Sequence, residues 1–430
     1  MTNTLAPNVA LVNEVMQEGR SLGIIHHSIQ SHTSDGAKLL VNGKKVTHFG
    51  NCGYLALATD PRLKRAAIEA VERYGISLPC SRTYASYAYH EEAEALLAQI
   101  FGYPTVISQN TTHAHMATLP VLTRRGDAIL IDQQAHTSIQ NATACVQSAG
   151  VFTEMVRHNR MDVLEERIKK LSETYERVWF ATDSVFSMFG AVVPLDTLMD
   201  LAKKYPKLYL YIDDAHGMSW TGENGKGYTL AHLGSLRERM VIVTSLGKGF
   251  GATGAAIIVP DEATKQLILN VGPTLIFSTP IMPAGLAAIV EAAKIHLTPE
   301  IVERQERLSK LRSYFRLTAK SLHLQLVNDD PTPIYFVGVG KPRTGMDIAK
   351  LMFDEGYMVS PSAFPSVPYN STGIRTNLTI NHTEQDIYGM LTTLAGVVED
   401  MARKNRLSRK AISKAFSLPM TTAMMASATA

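Results

Sequence analysis

The chain has 430 residues and a formal net charge of +3, with 45% apolar against 19% charged residues, which suits a globular protein of one large and one smaller domain. So small a charge excess, with no long basic run before residue 400, argues against a nucleic-acid partner. Three dispersed cysteines (Cys52, Cys80, Cys145) provide neither a disulfide framework nor a zinc knuckle. The N-terminus has no apolar leader, so a reducing, cytoplasmic setting is expected.

Residues 1–50 read as an N-terminal arm: a helix near Val9–Gly19, then a strand-and-turn region containing Gly, Ser and His. From about residue 60 the pattern alternates. Pro61–Tyr74 and Glu91–Phe101 carry apolar side chains at i, i+3 and i+4 and read as helices. Ala128–Ile131, Val178–Ala181, Leu208–Ile212 and Val241–Val243 are short apolar runs that read as buried strands. Strands alternating with helices imply an α/β domain, 51–289, with a mostly parallel sheet covered on both faces. Functional side chains then belong at the carboxyl ends of its strands. Leu267–Val290 is uncharged and long enough to span a bilayer, but Pro273, Pro280 and Pro283 with Gly272 and Gly285 break it, so no integral membrane segment is expected.

Beyond Pro283 the pattern predicts one long helix from Ala284 to about His323, a strand over Thr332–Val339 and a helix over Gly345–Glu355. A strand over Tyr357–Val359 and a helix from about Thr383 to Lys404 follow, giving a smaller α+β domain, 290–400. The tail, 401–430, is basic and then rich in Ser, Thr, Met and Ala, and is expected to be solvated and flexible.

The strand ends carry the chemistry. Val241–Val243 leads into Thr244-Ser245-Leu246-Gly247-Lys248-Gly249-Phe250-Gly251, a lone lysine among small residues. Desolvation there lowers a lysine's pKa and makes it a nucleophile fit for a Schiff base. The loop is not a Walker A motif, because the G-x-x-x-x-G-K-[ST] spacing is absent. Leu208–Ile212 delivers Asp213-Asp214-Ala215-His216-Gly217, and a carboxylate at a strand end is suited to keep a pyridine nitrogen protonated. A metal site or a plain polar loop remains the alternative for that stretch taken alone. His136, in His136-Thr137-Ser138 after another strand, has a flat ring able to stack on a cofactor; a helix-start histidine capped by Ser138 is the bland reading.

These motifs, in this order, resemble the α-oxoamine synthase family of fold-type I pyridoxal-phosphate enzymes. The resemblance spans roughly residues 45 to 400. It runs from Tyr54-Leu55-Ala56-Leu57-Ala58 and Asp60-Pro61 through Ser81-Arg82, His90-Glu91-Glu92 and His136-Thr137-Ser138. Ser184-Val185-Phe186-Ser187-Met188, Asp213–Gly217, Gly247–Gly251 and Phe277-Ser278-Thr279 complete it. It implies a large domain with a seven-stranded, mostly parallel sheet and a smaller C-terminal α+β domain. It also implies pyridoxal 5'-phosphate as cofactor, no metal, and a cytoplasmic homodimer with shared active sites. Lys248 would bind the cofactor, Asp213 would face the pyridine nitrogen, His216 and Ser187 the phenolic oxygen, and His136 would stack on the ring. Ser245 would meet phosphate, with Ser278 and Thr279 delivered by a second subunit. The substrates would be an amino acid and an acyl-CoA or acyl carrier protein, condensed with decarboxylation to an α-amino ketone.

Three departures stand out. Ser108-Gln109-Asn110-Thr111-Thr112-His113-Ala114-His115 replaces the family's Ser-Gly-aromatic segment, so Asn110, Thr111 and Thr112 are the expected cofactor contacts there. His113-x-His115 lacks a third metal ligand nearby. Phe189 takes the place of an acidic residue and would reshape the acyl-side pocket. Ala363 stands where a carboxylate-binding arginine is usual, leaving Arg375 and Arg82 as the guanidiniums available to substrate. An aminotransferase, or a non-catalytic partner subunit of the same fold, are the competing readings.

Overall fold

Seven strands build the central sheet: β1 (Thr105–Ser108), β2 (Asp127–Asp132), β3 (Phe152–Val156), β4 (Arg177–Asp183), β5 (Leu208–Asp213), β6 (Met240–Ser245) and β7 (Ala255–Ile258). They lie in the order β1-β7-β6-β5-β4-β2-β3. The pairs β6–β5, β5–β4, β4–β2 and β2–β3 are parallel, whereas β7 runs antiparallel to both β1 and β6. The structure is a computed structural model and describes residues 6–32 and 36–418.

Every residue of β2 and β6 is buried, and in β5 only Tyr209 is partly exposed. That is why these strands read as continuous apolar runs: a parallel sheet covered on both faces has no polar side. Helix starts follow local chemistry. The helix Pro61–Tyr74 opens on Asp60, whose carboxylate accepts from the Arg62 amide at 3.0 Å, with Pro61 at its first position.

The chain divides into two compact units. One comprises Leu55–Ser187 and Val192–Glu306 and contains the large sheet. The other gathers the described residues up to Tyr54, Met188–Ala191 and the described residues from Arg307 onward. The expected division at residue 290 therefore moves to a point inside the helix Glu300–Ser321. The expected N-terminal arm does not stand apart either. Its strands Ile29–His32, Lys38–Val41 and Lys44–His48 form one sheet with Tyr357–Met358, and the last pair is parallel. A second sheet of this unit has Ile334–Gly340, Thr372–Asn377 and Ser360–Ser362 in that order.

Two further expectations are corrected. The single helix expected from Ala284 to His323 is two, Pro283–His296 and Glu300–Ser321. Pro299 lacks an amide hydrogen and disfavours helical backbone at Thr298, which ends the first helix. In the tail, Arg409–Phe416 is a helix capped by Ser408, with Ile412 and Ser413 buried, rather than a solvated end; the stretch 419–430 lies outside the described residues. The uncharged run 267–290 is split among Glu262–Val271, Pro273–Ile276 and Pro283–His296. Among the described residues no helix is long and apolar enough to cross a membrane.

Candidate active site

Asp213 ends β5 and Asp183 ends β4, directly opposite each other in register. Two carboxylates so placed cannot both ionise cheaply. Burial, followed by the charge of Asp213, pushes the Asp183 carboxyl well up. Burial would raise Asp213 as well, but it is outweighed by a hydrogen bond from His115, the charges of His115 and Lys248, and the Ala215 amide. The Asp213 carboxyl lies below its ordinary value, so Asp213 is the ionised member of the pair. Asp183 uses Oδ1 to accept the backbone amide of His136 at 3.0 Å, which ties the loop after β2 to the end of β4.

Lys248 lies in the reversal between β6 and β7. That turn is closed by Leu246 N donating to Gly254 O at 3.0 Å, Ala252 N to Leu246 O at 2.9 Å and Gly251 N to Lys248 O at 3.0 Å. Gly251 has φ +82°, and a Cβ there would collide with the backbone of Leu57 and Ala58. Gly251 therefore admits the chain itself at close approach. Lys248 is close enough to influence Asp213, Asp183 and His136 electrostatically. The His136 pKa is lowered first by burial, with Asp213 opposing and Lys248 and His115 reinforcing. Its Nδ1 meets Ser138 Oγ at 2.6 Å at the start of Thr137–Ser148, so the capping role and the placement beside Lys248 coexist.

The segment that departs from the family pattern opens the helix Thr111–Leu122, whose N-cap Asn110 accepts from the His113 amide at 2.9 Å. The exposed amides of a helix start suit a phosphate. Gln109 donates to the Thr279 carbonyl, and Thr274 Oγ1 donates to the His113 carbonyl at 2.6 Å. Thr279 therefore lies beside this helix start within the chain. Ser245 is buried and its Oγ accepts the Gly247 amide at 3.2 Å. Ser108 Oγ and His113 Nδ1 are buried at this corner without a hydrogen-bond partner, polar capacity that a phosphorylated ligand would use. Ionised carboxylate, lysine loop and polar helix start together fit pyridoxal 5'-phosphate.

Other site residues fall differently. His216 is buried, and its carbonyl accepts from Trp220 Nε1 at 2.7 Å; Ser187 is half-buried after β4. Arg82 turns inward, paired with Glu94 at 2.7 Å and near the Ile107 carbonyl at 3.4 Å, so its guanidinium is committed to the fold. Arg375, in the other unit, is buried with its guanidinium 3.7 Å from Cys52 Sγ. Phe189, in that same unit, packs its ring 4.8 Å from Phe336 and 6.1 Å from Phe416, so it serves an aromatic cluster there. His115, Asp183 and Glu94 were missed as site residues; only the His113-x-His115 pair gave any signal.

This fold, with its lysine and aspartate at neighbouring strand ends, defines a fold-type I pyridoxal-phosphate transferase, and the chain belongs to the aminotransferase class I and II family, which residues 48–394 match. The 8-amino-7-oxononanoate synthase of Alkaliphilus oremlandii is 31% identical over 392 residues, 91% of this chain and 97% of that protein. That of Alkaliphilus metalliredigens is 31% identical over 393 residues, with the same coverage of 91% and 97%. Among solved structures, a serine palmitoyltransferase of S. paucimobilis bearing a PLP–myriocin aldimine superposes with a TM-score of 0.83 at 20% identity, covering 91% of this chain and 98% of that one. The 8-amino-7-oxononanoate synthase of Francisella tularensis gives 0.71 at 22% identity, covering 83% and 99%. Within the family the chain is an α-oxoamine synthase, a pyridoxal-phosphate-dependent C-acyltransferase. The two Alkaliphilus relatives bear out acyl condensation and not the aminotransferase or non-catalytic alternatives.

Proposed function

We propose that the protein condenses an amino acid with an acyl thioester, acyl-CoA or acyl carrier protein, releasing free thiol and CO2 and leaving an α-amino ketone. The observation that carries this reading is the convergence of Lys248, Asp213 and His136 at the carboxyl ends of one parallel sheet. Bound there, pyridoxal 5'-phosphate supplies an electron sink for negative charge at the substrate α-carbon. Lys248 would hold the cofactor through its Nζ and would serve as the base for the substrate's α-proton. Asp213, held ionised, would accept the ring N–H. His136 would cover one ring face and, with its lowered pKa, stay neutral near pH 7. His216 and Ser187 hold the phenolic oxygen. Asn110, Thr111 and Thr112 with Ser245, Ser278 and Thr279 would hold the phosphate, and Arg375 would be the guanidinium for the amino-acid carboxylate. Arg82, anchored on Glu94, positions β1 rather than substrate.

A panel of amino acids and acyl-CoAs, read for CO2 and free thiol together, tests the reaction. A cofactor-loaded enzyme that yields neither product from any pair overturns it. Lys248→Ala is expected to abolish the visible band of the lysine-bound cofactor while the protein stays folded; a retained band would remove Lys248 from this role.

A cytoplasmic homodimer belongs to the same proposal. Ser81 Oγ donates to the Ile276 carbonyl at 2.6 Å, bringing the chain near Tyr84 beside Phe277, and both of these aromatics are 85% exposed. Apolar surface of that kind next to Ser278 and Thr279 suits a second copy. A monomeric mass in sedimentation at micromolar concentration would rule it out.

A further inference from the structure

A chain of hydrogen bonds runs inward from Asp213. Its Oδ2 accepts from His115 Nε2 at 2.9 Å, and the other ring nitrogen, Nδ1, meets the Tyr211 hydroxyl at 2.9 Å. None of the three is open to water: His115 and Tyr211 are 0% exposed and Asp213 is 4% exposed. An ionised carboxylate only accepts, so the hydrogen on the shared edge belongs to Nε2. The His115 and Tyr211 rings are tilted by 58° with centroids 5.6 Å apart, so they meet through their polar edges rather than face to face.

The placement is built by two elements of the large unit. Tyr211 and Asp213 are two apart on β5 and share one face of the sheet. His115 comes from Thr111–Leu122, the helix whose first turn offers the phosphate contacts. Thr111 and His115 are four apart, on one side of that helix. A single rigid helix thereby addresses the phosphate end of the cofactor with its start and the ring-nitrogen end with its second turn. A leucine would fill the same volume without leaving polar atoms to satisfy. The imidazole, bonded at both nitrogens, instead answers to the carboxylate.

We propose that His115 and Tyr211 are positioning residues for Asp213: the imidazole fixes the carboxylate's orientation and lowers its basicity, so that the cofactor's ring nitrogen keeps its proton. This rests on the reading that Asp213 meets that nitrogen. The other titratable groups facing Asp213 are Lys248 after β6, His136 after β2 and Asp183 on β4. Without the His115 donor, Asp213 draws the shared proton toward itself, and the ring becomes a weaker electron sink. The lysine-bound cofactor then holds its own Schiff-base proton more tightly.

The test compares wild-type holoenzyme with His115→Leu, His115→Gln, Tyr211→Phe and, as reference, Asp213→Asn. The readouts are the pH midpoint of the visible cofactor band, the cofactor dissociation constant, and kcat and KM separately. His115→Leu is expected to raise the midpoint by about one pH unit and to weaken cofactor binding about tenfold. It should lower kcat with little change in KM for the amino acid. His115→Gln, which keeps a donor, should restore most of the midpoint, and Tyr211→Phe should shift it less and in the same direction. A folded His115→Leu enzyme with the wild-type midpoint and affinity overturns the relay. If that variant does not fold, a wild-type midpoint and wild-type cofactor affinity in Tyr211→Phe overturn it equally. Asp213→Asn separates the two levels. If it moves the band while the His115 variants do not, only the relay fails; if it too leaves the band unchanged, the ring-nitrogen reading itself falls.

Discussion

Asp214 sits one residue past Asp213 and has the opposite character. Its oxygens are taken by the Ser184 hydroxyl and by the Thr229 amide at 3.1 Å, and it is walled in by Gly217 and Gly227, where any Cβ would strike it. Burial is the largest influence and pushes its pKa from 3.8 up to about 7. The sign follows from proton counting. Between about pH 4 and pH 7 the native state holds a proton that the unfolded chain has released, so stability falls as pH rises through that window. His90 and His296 act in reverse. Burial lowers both from 6.5 to about 4, so the unfolded chain takes up protons first and stability falls as pH drops below 6.5. Asp214→Asn removes only the first trend. Relative to wild type, the variant should gain about 2–3 kcal/mol of unfolding free energy between pH 5 and pH 7.5, read from urea unfolding of the cofactor-free protein. Parallel pH profiles for the two proteins would show that Asp214 is not protonated in the native state.

At the scale of elements, the loop carrying Lys248 is constrained more tightly than a flexible glycine run suggests. Gly251 combines a left-handed φ of +82° with direct packing on Leu57 and Ala58. Gly251→Ala should therefore cost about 2–4 kcal/mol and weaken cofactor binding, as seen by thermal unfolding with and without pyridoxal 5'-phosphate. An unchanged melting temperature would mean that the loop relaxes freely. The position of this loop was legible because an apolar strand followed by small residues is a local pattern, and the same holds for Asp213 and for the helix Pro61–Tyr74. The antiparallel direction of β7 was not legible, since four apolar residues, Ala255–Ile258, carry no directional signal. Nor was the break at Pro299, where helical spacing continues on either side of the proline. His115 was hidden for another reason. Its partner Asp213 is 98 positions away, and only the packing of Thr111–Leu122 on the sheet brings them together.

For the whole molecule, the C-terminal helix belongs to the unit that holds Ile334–Gly340. Phe416, at the end of Arg409–Phe416, sits 5.9 Å from Phe336 and 6.1 Å from Phe189 in edge-on or tilted arrangements. Gly338 makes room for it, since a Cβ there would lie 2.5 Å from the Phe416 ring. A basic, Ser- and Ala-rich tail gave no sequence hint of this, because a single aromatic turn is too short to show periodicity. The aromatic contacts and the partial burial of Phe416 together are worth about 2 kcal/mol. Phe416→Ala is therefore expected to destabilise the unit that holds Ile334–Gly340 by that amount, while the large sheet keeps its own core. Native-state hydrogen exchange distinguishes the two: amides of Ile334–Gly340 should lose protection by about thirtyfold, and those of β5 and β6 should not change. Equal loss in both regions would mean that the units unfold as one, and no loss in either would mean that the tail helix contributes nothing to the stability of its unit.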